Sequence, residues 1–87
     1  MKDNWEKLIE ILTDINSKED MESILNFLLT IEEKSQLSSR VTLTKLMCFT
    51  DLTQREIAKN LGVSISTVTR CSNALKSIPE RTKNKFQ

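Results

Sequence analysis

Residues 53–76 read TQREIAKNLGVSISTVTRCSNALK and carry the strongest structural signal in the chain. Thr53 and Glu56 have the spacing of a capping box, in which two side chains bond the amide groups left free at a helix start. Gly62 supplies the residue type that adopts a left-handed turn at little cost. Ser64 is a suitable N-cap for a second helix. The stretch therefore predicts two helices joined by a turn.

Apolar residues recur at helical spacing in this stretch and predict one packed face on each helix. In chain order they are Ile57, Ala58, Leu61, Val68, Cys71 and Leu75. The outward face of the second helix would carry mainly short polar side chains, and its members are Ile65, Ser66, Thr69, Ser72, Asn73 and Lys76. Because a helix that reads DNA bases needs such a surface, we interpret residues 53–76 as a DNA-binding helix-turn-helix. The alternative is an ordinary helical hairpin whose polar face is only solvated.

The charge of the chain is unevenly distributed. Residues 1–40 contain five Lys/Arg and nine Asp/Glu, whereas residues 41–87 contain eight Lys/Arg and three Asp/Glu. The cations fall in or just beyond the predicted helix-turn-helix, where contacts to DNA phosphates are needed. A solvated run of charge is the alternative, but its position favours DNA binding.

The composition is typical of a small all-α protein. One glycine, one proline and no run of alternating β-branched residues argue against strands. The chain has no histidine, and its two cysteines lack a C-x-x-C spacing. We therefore expect neither a bound metal nor enzymatic activity. The nearly apolar residues 24–31 are too few to cross a membrane, and residues 1–3 do not begin a signal peptide, so we expect a cytoplasmic protein.

The first half of the chain predicts helices that one copy cannot cover. Residues 5–15 follow a helical period, and residues 21–29 are apolar on nearly every side of a second helix. A chain of this size buries only about 60–65% of its unfolded surface. We therefore expect an intertwined homodimer, with a loosely packed monomer as the alternative. The predicted organisation is a single domain, residues 1–87, comprising a helical dimerisation core (1–50), the helix-turn-helix (53–76) and a short C-terminal helix (77–87).

Two further helix starts are predicted outside the helix-turn-helix. Thr30 and Glu33 form a second capping box, which begins a third helix that ends near Phe49. The run Ser77-Ile78-Pro79-Glu80 is expected to cap a short last helix. The residues of the third helix that we expect to face inward are Leu37, Val41, Met47 and Cys48.

The chain resembles the tryptophan repressor family. In that family the reading helix closes with a T-R-G-S-N-x-L-K run, which stands here as residues 69–76, TRCSNALK. The resemblance continues upstream without gaps through Arg40, Thr30 and Trp5. It implies an all-α, intertwined homodimer that binds a two-fold symmetric operator in double-stranded DNA when L-tryptophan is bound as corepressor.

The resemblance also implies a ligand pocket. Arg70 would pair with the carboxylate of the ligand, and Arg40 would stack on its indole ring. Thr67 would bond the carboxylate region. From the other subunit, the backbone carbonyls of Phe27 and Leu29, with Thr30 beside them, would receive the amino group. The alternatives are that Arg70 only contacts a phosphate, that Arg40 pairs with Glu32 or Glu33, and that Thr67 only fills the helix.

Two positions of this pocket depart from the family pattern. Cys71 stands where the family has glycine, and Ala74 stands where the family often has a serine that bonds the ligand amine. A lost hydrogen bond costs about 0.5–1.5 kcal/mol, whereas an overpacked side chain costs about 1–3 kcal/mol. Cys71 therefore has more effect on the ligand than Ala74. Either its neighbours have shifted and tryptophan binds weakly, or the thiol fills part of the pocket.

The predicted DNA contacts fall into two groups. Gln54, Arg55, Thr69 and Lys76 should mainly bind phosphates, while Ile65 and Ser66 should approach base edges. The closest alternative function is a helix-turn-helix regulator that binds DNA without a ligand. A helical module for protein interaction is a further alternative.

Overall fold

The computed structural model describes residues 2–87, and this part of the chain contains helices and no strand. The prediction of an all-α fold is confirmed. Six α-helices are followed by a 3₁₀ helix at Asn84–Phe86. The α-helices are α1 (Asn4–Thr13), α2 (Lys18–Leu28), α3 (Ile31–Phe49), α4 (Gln54–Leu61), α5 (Ile65–Leu75) and α6 (Glu80–Lys83).

The chain divides into two compact units, with the boundary between Lys34 and Ser35. The division falls within α3, so the C-terminal part of this helix belongs to the unit that contains α4 and α5. The predicted subdivision at residue 50 concerns a dimer and stays a prediction.

Capping side chains define each helix start in the N-terminal unit. Asp3 accepts the amide proton of Glu6 at 2.8 Å before α1, and Ser17 Oγ accepts that of Asp20 at 3.1 Å before α2. Thr30 then accepts the Glu33 amide proton, and the Glu33 carboxylate accepts the Thr30 amide proton. The predicted second capping box is therefore confirmed. These caps satisfy amide groups that have no partner within a helix.

Helices α1 and α2 contain no fully buried residue. Apolar side chains are instead exposed, including Trp5 at 67%, Phe27 at 85% and Ile31 at 84%. Exposed apolar side chains at this density are typical of surfaces that another protein chain covers.

The core of the C-terminal unit consists of Leu43 from α3, Ile57 and Ala58 from α4, and Val68 from α5. Ile57 and Val68 are the largest fully buried side chains, at 1% and 0% exposure. Burying a side chain of this kind contributes about 1.5–3 kcal/mol. The small side chain of Ala58 is also buried where α4 and α5 pack together.

The turn between α4 and α5 follows the predicted local signals. Thr53 and Glu56 form a complete capping box at the start of α4. Gly62 ends α4 in the left-handed conformation, with φ of 66°. Ser64 Oγ then accepts the Thr67 amide proton at 3.1 Å and caps α5.

Within one copy of the chain, the inward face of α3 differs from the prediction. Leu37 and Val41 were expected inside, but they are 44% and 40% exposed. Leu43 and Thr44 are buried instead, because they face the core formed with α4 and α5. Met47 and Cys48 are half-buried, in agreement with the expected inward position.

The cap of the last helix lies at the third residue of the predicted run. Pro79 is the N-cap of α6 and forms no side-chain cap bond. Ser77 Oγ instead donates to the carbonyl of Ala74 at 3.2 Å, so it bonds the end of α5. Ser72, which was expected on the outward face of α5, is half-buried.

No helix between residues 2 and 87 is both long enough and apolar enough to cross a membrane.

Replacing Gly62 with Ala should lower the free energy of unfolding by about 1–2 kcal/mol, the cost of a left-handed conformation for a residue with a Cβ. A Cβ at this position would meet no atom within 4 Å, so the loss should be conformational rather than steric. Urea unfolding measures it. Gly62→Asn is the matched control and should lose less, because asparagine tolerates this conformation better. Equal losses for Ala and Asn would contradict the conformational explanation.

Candidate ligand pocket and nucleic-acid interface

A cavity of about 340 Å³ lies between α3 and α5 in the C-terminal unit. Its lining residues are Arg40, Leu43, Thr44, Thr67, Arg70, Cys71 and Ala74. A second cavity, of about 390 Å³, shares Arg40, Leu43, Thr67 and Arg70 with the first. Both volumes fall within the range of small-molecule sites, about 300–1,000 Å³. The structure thus brings together the five ligand residues that were predicted on α3 and α5.

The cavity is lined by two cationic side chains and by no carboxylate. Arg40 comes from α3 and Arg70 from α5. The ion pairs within residues 2–87 are Lys2 with Glu10 and Lys83 with Glu80, so neither arginine is paired in this part of the chain. Two unpaired guanidinium groups favour an anionic ligand such as a carboxylate.

The α5 side of the cavity is formed by one face of that helix. Thr67, Arg70, Cys71 and Ala74 have the spacing i, i+3, i+4 and i+7, which places them in one row. The Thr67 hydroxyl also lies 2.8 Å from Ser64 Oγ at the helix start. Cys71 is half-buried against the core, so its thiol lies at the junction of core and cavity.

The three ligand residues expected from the other subunit lie in the N-terminal unit. Phe27 is in the last turn of α2, and Leu29 is the extended residue that ends this helix. The Thr30 hydroxyl accepts the Glu33 amide proton at 3.1 Å. Their participation in a ligand site stays a prediction.

The residues predicted to contact DNA lie on α4 and α5 or at their ends, and all are exposed. Ile65 begins α5 with 49% of its side chain exposed, and Ser66 follows it. Gln54 and Thr69 are joined by a 2.9 Å hydrogen bond, in which the Thr69 hydroxyl donates to Gln54 Oε1. The remaining two residues are Arg55, in the first turn of α4, and Lys76, which ends α5.

Two residues of the cavity were not found from the sequence. Leu43 and Thr44 are buried and line the cavity beside Arg40. A helical stripe starting at Arg40 contains Leu43, Thr44 and Met47, which was a usable signal. It was missed because Leu37 and Val41 define a competing apolar stripe on the same helix.

Comparison with known proteins agrees with this geometry. The family model for the Trp repressor protein matches residues 3–87. The chain belongs to the Trp repressor family. A Trp operon repressor homolog of Vibrio parahaemolyticus is 34% identical over 84 residues, covering 97% of this chain and 82% of the relative. Trp operon repressor homologs of Chlamydia caviae and Chlamydia trachomatis are 35% and 30% identical, over 94% and 95% of this chain and 81% and 88% of the relatives.

Family membership establishes the general function of the chain. It is a DNA-binding transcriptional repressor, as the sequence predicted. The family is regulatory rather than enzymatic.

Proposed function

We propose that the protein is a homodimeric repressor that binds a two-fold symmetric operator and uses L-tryptophan as its corepressor. The observation that carries this proposal is the placement of Arg40 and Arg70 around one cavity, in a member of the Trp repressor family.

The chemistry of the cavity supports an amino acid with an apolar side chain. Arg70 can pair with the ligand carboxylate through two parallel hydrogen bonds. Arg40, on the opposite helix, can cover the face of an aromatic ring by a cation–π contact. Leu43 and Ala74 provide apolar wall between the polar groups. The ammonium group has no carboxylate partner in the cavity, and the carbonyls of Phe27 and Leu29 in a second subunit would receive it.

The position of the cavity suggests how the ligand would affect DNA binding. A ligand between α3 and α5 would touch one face of α5, while Ile65 and Ser66, at the exposed start of this helix, lie outside the row that lines the cavity. It would thereby fix the tilt of the reading helix. In helix-turn-helix dimers, Trp repressors among them, the two reading heads must fit half-sites about 34 Å apart. A small change in tilt therefore decides whether both heads bind at once.

We also propose that the residues of the DNA-binding face form two groups, one that binds phosphates and one that approaches base edges. Gln54 and Arg55 lie in the first turn of α4, where backbone amides and the helix dipole favour a phosphate. Thr69 and Lys76 would extend these contacts along α5. Ile65 and Ser66, at the start of α5, would meet base edges in the major groove.

Replacing Lys76 with Ala should weaken binding to all duplex sequences and reduce the slope of log affinity against log salt by about 0.9, the effect of one lost phosphate contact. Ile65→Ala should instead change the preference among operator variants. Fluorescence anisotropy at several salt concentrations measures both. Lys45→Ala, which removes an exposed charge from α3, is the matched control and should leave the slope unchanged. If the Lys76 and Ile65 variants both lose the same affinity for every duplex sequence, the proposed separation of phosphate contacts from base contacts is wrong.

Replacing Cys71 with Gly should tighten tryptophan binding by on the order of tenfold, because relieving an overpacked site recovers about 1–3 kcal/mol. Isothermal titration calorimetry of the purified protein with a panel of amino acids measures this effect. Ser72→Gly introduces the same flexible residue one position along the helix but outside the ligand cavity, so it should not tighten binding. If Cys71→Gly binds tryptophan no better than the parent, the proposed fit of the indole ring is incorrect.

The exposed apolar side chains of the N-terminal unit support the homodimer. Sedimentation equilibrium at micromolar concentration should give a dimer, and Phe27→Lys should dissociate it, because the 85% exposed ring would be covered only by a partner. Asn26→Lys adds the same charge at the neighbouring exposed position and should leave the dimer intact. A stable, folded monomer of the parent protein would contradict this proposal.

A further inference from the structure

The thiol of Cys71 has a polar neighbour on α3. Among residues 2–87, Thr44 is the one buried polar residue, with 8% of its surface exposed. Its Oγ1 atom lies 3.9 Å from Cys71 Sγ, within the range of a hydrogen bond to sulfur. The same hydroxyl donates to the backbone carbonyl of Arg40 at 2.8 Å. Thr44 therefore connects α5 to the residue that lines the opposite side of the ligand cavity.

The second hydrogen bond of the Thr44 hydroxyl favours the Cys71 thiol as the donor in this contact. A threonine hydroxyl has one proton and two lone pairs, and the Thr44 proton is used on the Arg40 carbonyl. In this arrangement the hydroxyl oxygen accepts from the Cys71 thiol. The result is a chain from the Cys71 thiol through the Thr44 hydroxyl to the backbone of Arg40.

The side chain of Cys71 also has an alternative environment. Cys71 lines the same cavity as Arg70 and Ala74, and its side chain has three staggered positions about the Cα–Cβ bond. Rotation away from Thr44 would break the thiol contact and move the sulfur along the cavity wall. The position of the Cys71 thiol therefore affects the volume that is left for a ligand in the cavity.

We propose that Thr44 is a positioning residue, whose hydroxyl holds the Cys71 thiol against α3 and limits how far the thiol extends into the cavity that would bind an aromatic amino acid. This inference rests on the proposed function for the identity of the ligand. It explains how a chain with cysteine in place of the family's glycine retains a cavity of about 340 Å³ beside that residue. The specificity of the pocket then depends on residues 44 and 71 as a pair.

The first test measures the exposure of the thiol without any ligand. Iodoacetamide alkylation of Cys71 is followed by peptide mass spectrometry, and Cys48 in the same molecule is the internal reference because it is also half-buried. Thr44→Val removes the hydroxyl and should raise the ratio of the Cys71 rate to the Cys48 rate by about two- to fivefold, as expected for a weak hydrogen bond. Thr44→Ser retains the hydroxyl and should keep the parent ratio.

Two outcomes of this test would overturn the proposal. One is an unchanged ratio in Thr44→Val, which would mean that the hydroxyl does not position the thiol. The other is an equal rise of the ratio in Thr44→Ser. Because serine retains the hydroxyl, the effect would then come from lost methyl packing or altered shape. A parallel rise in both cysteines leaves the ratio unchanged and therefore counts against the proposal.

The second test links the pair to ligand binding by a double-mutant cycle. Thr44→Val should weaken tryptophan binding by about two- to fivefold in calorimetry when Cys71 is present. In the Cys71→Gly background the same substitution should have no effect, because no thiol remains to be positioned. Equal losses in both backgrounds would contradict the proposal. A parent protein that binds no tryptophan would contradict the proposed ligand, while the alkylation ratio would still decide the role of Thr44.

Discussion

The burial of Val68 between α3 and α4 is the constraint on which the C-terminal unit depends. Val68 has no exposed surface and packs with Leu43, Ile57 and Ala58. Because successive residues of a helix are separated by a fixed angle, burying this one side chain sets the direction of every other residue on α5. As a result, Ile65 at the start of α5 is exposed to solvent. The row from Thr67 to Ala74 lines the ligand cavity.

The placement of two surfaces on one short helix has a thermodynamic consequence. Helix α5 contains 11 residues, of which one row lines the cavity and another is directed to solvent. A ligand that binds the inner row better in the DNA-binding orientation must strengthen DNA binding, and DNA must strengthen ligand binding by the same factor. This coupling needs no long pathway through the protein, since the same rigid element carries both surfaces.

Local signals in the sequence were sufficient for most of the fold. Capping pairs such as Thr53 with Glu56, and the glycine at position 62, act within one turn of chain and were recognised correctly. The inward face of α3 could not be chosen in this way, because Leu37 and Leu43 belong to competing apolar stripes. The choice depends on where α4 and α5 pack, which is tertiary information.

The candidate site, like the inward face of α3, could be predicted only in part from local sequence signals. Arg40, Thr67 and Arg70 were recognised through the family resemblance, and the structure places them around one cavity. The contact between Thr44 and Cys71 spans 27 positions of the sequence and is created only by the packing of α5 on α3. No helical period within either segment indicates it. Pairing between distant helices is therefore the part of the site that requires the folded structure.

The corepressor proposal is tested most directly by the affinity of the protein for its operator with and without saturating L-tryptophan. The operator is first selected from a random duplex library in the presence of the amino acid, and affinity is then measured by fluorescence anisotropy at fixed salt. We expect tryptophan to strengthen operator binding by about tenfold or more, within the usual range of allosteric coupling. We also expect Arg70→Leu to abolish this increase. Equal affinity of the parent protein with and without tryptophan would contradict the corepressor claim.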